Sequence, residues 1–465
     1  MGLIVGSFVP LSVANGQGGG VGQQQPKDRF AVIQTTASPV TLDGGVTYTQ
    51  DFTAANLSNF KAAIFEMSGA TSSGTVIGHG RVSIGFCDSA GNQAFRAGRS
   101  RDGFTYQDTA SHKAPAAVIG ISDDNGPQYR ARASFHSVIP NGVRLRWTRT
   151  ISGDTSPTSI EPYQVTCLLI GGTNQTKAFV GADGNCCPGS STVTTPNFQA
   201  DLYVFVGFIG PINTDDVTSH DFFSLGFAAR QTGIPQAATS HLYPDDALGP
   251  PFAPAQLSES FSMVRDNRVA SIRNISSGTE HNAEVTAFTS TGFTWTCNDG
   301  ISFYYLGLKF ADSLTASVTV ESLPTTPGTH TFTGLGLKPQ IVLTGSSLVT
   351  TTNVFVGTPA GVEPTSGAQG YSIFSSANEG ACSVSNADGL LLGNDLLAGE
   401  EPSVAKSYAG GRALLLLPNN PGTTSSPEVE ATFSAMNSSG FTLDFLNPGA
   451  GRMIVLGIES FPPSP

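Results

Sequence analysis

Residues 290–297 read STGFTWTC, and the same pattern stands twice more, as PNGVRLRW (140–147) and SSGFTLDF (438–445). Aligned on Gly142, Gly292 and Gly440, the copies place Val143, Phe293 and Phe441 one residue later. Leu145, Trp295 and Leu443 follow at three residues, and Trp147, Cys297 and Phe445 at five. Large apolar residues at every second position describe a strand with one buried face. Phe135, Val285 and Phe433 precede each glycine by seven residues, so each copy reads as a hairpin whose glycine eases the turn. Trp295 and Cys297 therefore read as interchangeable core fillers.

The order of elements around the hairpin also recurs. An apolar strand follows each copy: YQVTCLLIGG (163–172), FYYLGLKF (303–310) and RMIVLGIE (452–459). Further apolar strands precede each copy, FKAAIFEM (60–67), LYVFVGFIG (202–210) and PQIVLTGS (339–346), then RVSIGFCD (81–88), FFSLGFAA (222–229) and GYSIFSSA (370–377). Lead-in strands open each unit at 30–36, 177–183 and 316–322, and a second strand follows in the first and third copies. The period, near 140 residues, exceeds that of a solenoid or propeller and suits a sandwich of roughly eight strands. The expected fold is all-β: three tandem antiparallel β-sandwich repeats, jelly-roll-like in layout, behind an extended N-terminal arm. The expected boundaries are 1–29 for the arm and its Gly/Gln linker, 30–172 for the first sandwich, 173–311 for the second and 312–465 for the third.

Composition agrees with many short strands and turns. Charged residues make up 12% of the chain, about half the usual share of roughly 25%, so Ser, Thr, Asn, Gln and Gly must build the surface. The formal net charge of −12 argues against bulk nucleic-acid binding. Residues 60–150 carry 11 Lys+Arg against 6 Asp+Glu, whereas residues 151–465 carry 10 against 26. No apolar run reaches the roughly 20 residues of a membrane span. The start, MGLIVGSFVPLSVANG, has the hydrophobicity of a signal peptide but no Lys or Arg before it. It reads as a mature arm, and position 6 is Gly where a myristoylation signal has Ser or Thr.

The junctions LLIGGTNQTKAFVGADG (168–184) and YYLGLKFADSLTASVTVESLPTTPGTHTFTGLGLKPQIVLTG (304–345) each pass from a closing strand into the next lead-in strand. They resemble junctions in tandem-repeat β-sandwich virion structural proteins, head/tail fibre- or decoration-like, of tailed bacteriophages. The matching pieces are GLKPQ (336–340), FTSTGFTW (288–295) and YYLGLK (304–309), and the likeness covers about 430 residues. The first copy departs from it, with NLSNFKA (56–62) in place of the proline-bearing lead. The resemblance implies a component of a phage particle, assembled in the host cytoplasm, without specifying head or tail. Its partners would be other virion proteins, capsid or tail subunits, with a homo-oligomer expected and neither membrane nor nucleic acid engaged.

Candidate chemistry is sparse. No P-loop, GxSxG elbow or HExxH is present. No CxxC pair occurs among the six cysteines; Cys87, Cys167 and Cys297 read as buried hydrophobes, and the adjacent Cys186 and Cys187 as free or cross-linked to another chain. The loops SDDNG (122–126), NTDD (213–216), YPDD (243–246) and GEEP (399–402) are acidic. Asp123, Asp124, Asp245 and Asp246 are weak calcium candidates; they equally suit solvated turns, and a hydrolytic acid pair is the third reading. The expectation is no enzyme and no cofactor. The strongest cluster is basic: Arg96, Arg99 and Arg101 in FRAGRSRDG, then Arg130, Arg132, Arg144, Arg146 and Arg149 around the first hairpin. Arg130/Arg132 and Arg144/Arg146 alternate with apolar residues, so each pair shares the face opposite the core. These eight arginines are the expected contacts to an acidic assembly surface, the alternative being a solvated face balanced by scattered acids. The alternative function is a surface or secreted carbohydrate-binding adhesin that meets a host-surface glycan.

Overall fold

Two kinds of strand pattern in the chain have two structural causes. β21 (Phe293–Cys297) alternates, burying Phe293, Trp295 and Cys297 and leaving Thr294 and Thr296 half-buried. β5 (Gly80–Asp88) and β16 (Asp221–Ala229) are buried at every position, which requires protein on both faces of their sheets. The computed structural model describes residues 29–37, 47–69, 72–74, 76–78, 80–100, 109–122, 129–149, 163–184, 188–218, 221–243, 261–273, 279–311, 315–353, 368–386, 403–417 and 427–459. They form antiparallel β-sheets and no helix.

The first large sheet runs β1 (Arg29–Ala37), β11 (Tyr163–Gly171), β3 (Phe60–Ser68), β5, β6 (Gln93–Ser100) and β7 (Thr109–Ala114). Over one face packs a four-stranded sheet of β2 (Tyr48–Thr53), β10 (Gly142–Arg149), β9 (Tyr129–Ile139) and β8 (Ile119–Ser122), enclosing Phe65, Trp147 and Leu169. The second pair has β12 (Lys177–Gly184), β22 (Ser302–Lys309), β14 (Leu202–Phe208), β16, β17 (Gln236–Tyr243) and β18 (Phe261–Arg265) under β13 (Gly189–Val193), β21, β20 (Glu280–Phe288) and β19 (Ala270–Arg273). The third has β23 (Thr315–Ser322), β32 (Arg452–Glu459), β25 (Ile341–Ser347), β26 (Ala368–Ser375), β27 (Glu379–Asn386) and β28 (Ser403–Ala409) under β24 (Gly328–Phe332), β31 (Gly440–Asn447), β30 (Val429–Asn437) and β29 (Leu414–Leu416). In each pair the chain meanders through four neighbouring strands of the large sheet and three of the small one. A jelly roll would alternate sheets more often; short connections such as 89–92 and 376–378 instead favour pairing of sequential strands.

The second faces of the three large sheets meet in one central core. Ile64, Ile84 and Leu168 come from the first sheet, Val204, Phe227 and Leu306 from the second, and Leu343, Ile373 and Leu456 from the third. Short exchanged segments tie neighbours together. β15 (Asp216–Thr218) extends the first large sheet beside β7, and β4 (Val76–Gly78) extends the third beside β28. Asn353 reaches β18 of the second, its N–H donating to Val264 O at 2.8 Å. At the opposite sheet edges, side chains cap the lead strands. Asp88 accepts from Val180 N–H at 3.0 Å, Gln231 donates to Ala316 O at 2.6 Å, and Asn378 donates to Val32 O at 3.0 Å. The first sheet thus caps the second, the second the third, and the third the first, covering edges that would otherwise invite pairing with another chain.

The glycines of the opening pattern serve a different purpose from the expected one. Gly142, Gly292 and Gly440 do not adopt positive φ; in the first hairpin Asn141 takes that role at φ 63°. A Cβ at any of the three would collide with a backbone carbonyl of the neighbouring strand, that of Phe52, Val193 or Phe332 respectively. Close backbone approach, not turn geometry, requires glycine there.

Candidate functional site

The structure separates the eight arginines. Arg96 and Arg99 are buried in β6, which corrects their assignment to an exposed docking face. Arg96 reaches across to the second sheet: its Nε and Nη2 donate to Phe222 O at 3.1 and 2.9 Å, and Nη2 also donates to Ser111 Oγ. Sequence periodicity could not show this, because the enclosing sheet is more than a hundred residues away in the chain. Arg144 and Arg146 project outward from β10 while Val143, Leu145 and Trp147 point into the core. Arg144 forms a two-pronged ion pair with Asp51 at 2.5 and 2.7 Å, and that bond holds the Asp51 carboxyl below its ordinary range. Arg132 pairs with Asp215 of the segment preceding β15. Arg146 Nη2 lies 2.9 Å from His136 Nδ1. Arg101 lies outside the described residues, as do the side chains of Arg130 and Arg149. So do Asp123, Asp124, Asp245, Asp246, Cys186 and Cys187. No group of three metal-ligating side chains occurs among the described residues. No helix there is long and apolar enough to cross a membrane.

The polar side chains that the structure does bring together lie in the seams between large sheets. In the seam of the first and second sheets, Arg96 is joined by Lys113, whose Nζ donates to Pro211 O at 2.7 Å and sits over the Phe208 ring. His112 is buried close by; burial, then the fields of Arg99 and Arg96, push its pKa down to about 3. Asp221 lies 3.3 Å from His241, and His241 Nδ1 lies 3.4 Å from Tyr371 Oη in the third sheet. Asp–His–Tyr is a sequence of groups that can pass a proton, but His241 is stacked on Phe223 and sealed from solvent. In the seam of the second and third sheets, Thr239 donates to Gln369 Oε1 at 2.9 Å, and Gln369 Nε2 donates to Ser240 O at 3.3 Å. These groups are buried and join one sheet to the next.

A second set of functional side chains, absent from the expectations, supports the small sheets. Each has a bulge at the same place, opposite Arg144/Leu145 in β9, between Val285 and Ala287 in β20 and between Phe433 and Ala435 in β30. A bulge leaves a backbone group without a ladder partner. Gln93 Oε1 accepts from Phe135 N–H at 2.6 Å, Gln236 Oε1 from Val285 N–H at 2.9 Å, and Glu379 Oε2 from Phe433 N–H at 2.7 Å. Residues 93, 236 and 379 stand 143 apart from one to the next, a regularity that could have drawn attention to them. Burial pushes the Glu379 carboxyl up, and the Phe433 N–H opposes the shift.

The tryptophans are structural too. Trp147 Nε1 donates to Gln50 Oε1 at 3.0 Å, and Trp295 Nε1 to Asp183 Oδ2 at 2.8 Å, both from fully buried rings. Cys87, Cys167 and Cys382 are free, buried thiols and Cys297 is buried, and burial pushes Cys87, Cys167 and Cys382 well above the usual thiol range. A thiol so placed is inert as a nucleophile. No family model matches the chain, and no curated protein matches it.

Proposed function

We propose that the chain is a non-enzymatic structural component of a bacteriophage particle, made of three copies of one ten-strand sandwich closed into a ring. In this reading the N-terminal arm and the first sandwich attach it to capsid or tail subunits, and the rest is exposed on the head or tail surface. The observation that carries the structural role is the cyclic set of edge contacts, Asp88 to Val180, Gln231 to Ala316 and Asn378 to Val32. Three like sheets that cap one another in order form a rigid body, and their buried ionisable groups serve as joints. The first sandwich retains an outward arginine row, of which Arg132 and Arg144 already hold Asp215 and Asp51. Arg146, exposed as well, lies beside His136, and in this reading the arm carries most of the attachment. Removing residues 1–28, which enter at Arg29 beside Gly171, is expected to leave the sandwiches folded by circular dichroism and to abolish co-sedimentation with particles. Full co-sedimentation of the truncated protein would refute attachment through the arm.

A further inference from the structure

The two linkers 172–176 and 310–314 join first to second and second to third large sheets; the seam between third and first closes the ring without a linker. Its strand exchange is short, pairing Val76, Ile77 and Gly78 with Lys406, Ala405 and Val404. Glu66 lies in this seam. It alternates along β3 with Phe65 and Met67, which face the sandwich interior, and so shares the central face with Ala62 and Ile64. It is 3% exposed, and its Oε2 has no hydrogen-bond partner. Gln34 Nε2 and Ser407 Oγ, in the same seam, are also buried without partners. Gly380 permits this close approach: a Cβ there would strike Thr166 and Gln34.

None of the groups around Glu66 donates a hydrogen bond to its Oε2. Its neighbours within the sheet are Thr166 on β11 and Ile84 on β5. From β27 comes the Cys382 thiol, which burial and then the field of Glu66 push up, and Ser407 stands opposite Cys382 on β28. The nearby charged groups are engaged elsewhere. Lys406 lies over the Tyr408 ring and feels Glu430, and Arg81 on β5 donates to Tyr163. Asp88 takes Val180 N–H, Asp183 on β12 takes Trp295, Lys177 lies over Phe198, and Glu379 on β27 takes Phe433 N–H.

We propose that the seam between the first and third large sheets is a pH-operated latch, closed while Glu66 is protonated and opened by its ionisation, with each sandwich remaining folded. A buried carboxylate without a cation or hydrogen bonds is strongly disfavoured, and parting this seam hydrates it; the polar contacts given up among the described residues include the β4–β28 pairing and the Asn378 bond to Val32 O. Burial pushes the Glu66 carboxyl well above its ordinary range. A raised carboxyl pKa means that closure is fully stabilised below the unfolded value near 4.5 and is lost as pH rises through the folded value. One proton is released on opening while pH lies between the two values, so the opening equilibrium rises there by up to about tenfold per pH unit and levels off above the folded value.

The test is hydrogen exchange and thiol labelling of the full chain from pH 5 to 9, with site-resolved mass spectrometry and rates corrected for intrinsic pH dependence. In the wild type, Cys382 and the amides paired between β4 and β28 are expected to lose protection with rising pH, while Cys87, Cys167 and the β7–β15 seam stay protected. Glu66→Gln and, independently, Glu66→Leu are expected to keep Cys382 protected throughout. Loss of protection at all four buried cysteines together, an unchanged Cys382 across the range, or the same pH dependence in a folded Glu66 variant would each overturn the latch.

Discussion

Replacing Gln236 by Leu tests whether a side chain from one sheet sustains the bulge of the sheet packed on it. Gln236 spans the sandwich and satisfies both backbone groups of Val285: Oε1 accepts the N–H at 2.9 Å, and Nε2 donates to the carbonyl at 3.1 Å. Gln236 is 8% exposed and Val285 1%, so no water replaces the lost partner without rearrangement. A buried group left unsatisfied costs about 1–3 kcal/mol. Two such groups, less the gain from burying a leucine of similar size, give a net loss of about 2–4 kcal/mol. The assay is urea unfolding followed by fluorescence in a Trp147→Phe background, where Trp295 in the same sandwich is the reporter. With a urea slope of about 1–3 kcal/mol per molar, the midpoint of that transition should fall by about 0.7 M or more. Gln236→Glu keeps the acceptor and removes the donor, so its midpoint should lie between those of the parent and Gln236→Leu. A midpoint for Gln236→Leu within about 0.2 M of the parent would refute the reasoning, since a loss that small is below the cost of even one unsatisfied group.

Gly292→Ala should destabilise the second sandwich by at least about 2 kcal/mol, since β13 must move away from the new methyl group. Gly300→Ala, where a Cβ meets nothing within 4 Å, should leave thermal unfolding unchanged; equal melting temperatures for the two variants would contradict the close-approach explanation. His112 is held neutral, with its pKa near 3 in the fold against about 6.5 unfolded. A lowered pKa means that stability is intact above the unfolded value and declines as pH falls through the interval from 6.5 to about 3. The slope is at most about 1.4 kcal/mol per pH unit. His112→Gln should flatten this acid limb in urea midpoints measured between pH 7 and 4, and an unchanged limb would show that His112 is not what titrates.

Much of the strand framework was legible because one-sided burial leaves a period of two in β10, β21 and β31 and two-sided burial leaves continuous apolar runs in β5, β14 and β16. The inward run Val143, Leu145, Trp147 and the outward Arg144 and Arg146 follow from that alternation alone. β6, β17 and β27 were not legible, because their central faces meet other sheets through Arg96, Thr239 and Cys382 and so show no uniform polarity. β13, with the sequence GSSTV, is a polar edge strand whose place depends on pairing with β21. The burial of Arg96 and Arg99 escaped the sequence for the same reason: a local pattern records which residues share a face, not what covers it. The bulge supports left a trace in the equal spacing of Gln93, Gln236 and Glu379, but the backbone groups they satisfy are set by packing between sheets.

The same positions that make the three large sheets alike also keep them from being interchangeable. Residues 96, 239 and 382 stand at the same interval of 143 in the corresponding strand of each large sheet. Their chemistry nonetheless differs: a guanidinium that needs carbonyl oxygens, a hydroxyl that needs an amide, and a thiol that tolerates an apolar setting. Arg96 finds Phe222 O on the second sheet and Thr239 finds Gln369 on the third, while Cys382 lies within the electrostatic reach of Glu66 on the first. Exchanging any two neighbours would bury an unpaired guanidinium or leave Gln369 unsatisfied, at a cost that disfavours the wrong order. Sheets with so little exposed charge and so many covered edges would otherwise stack in any sequence or with another chain. The seams therefore carry the specificity of the assembly, and the proposed latch at Glu66 would let the closed ring yield at one of them without unfolding a sandwich.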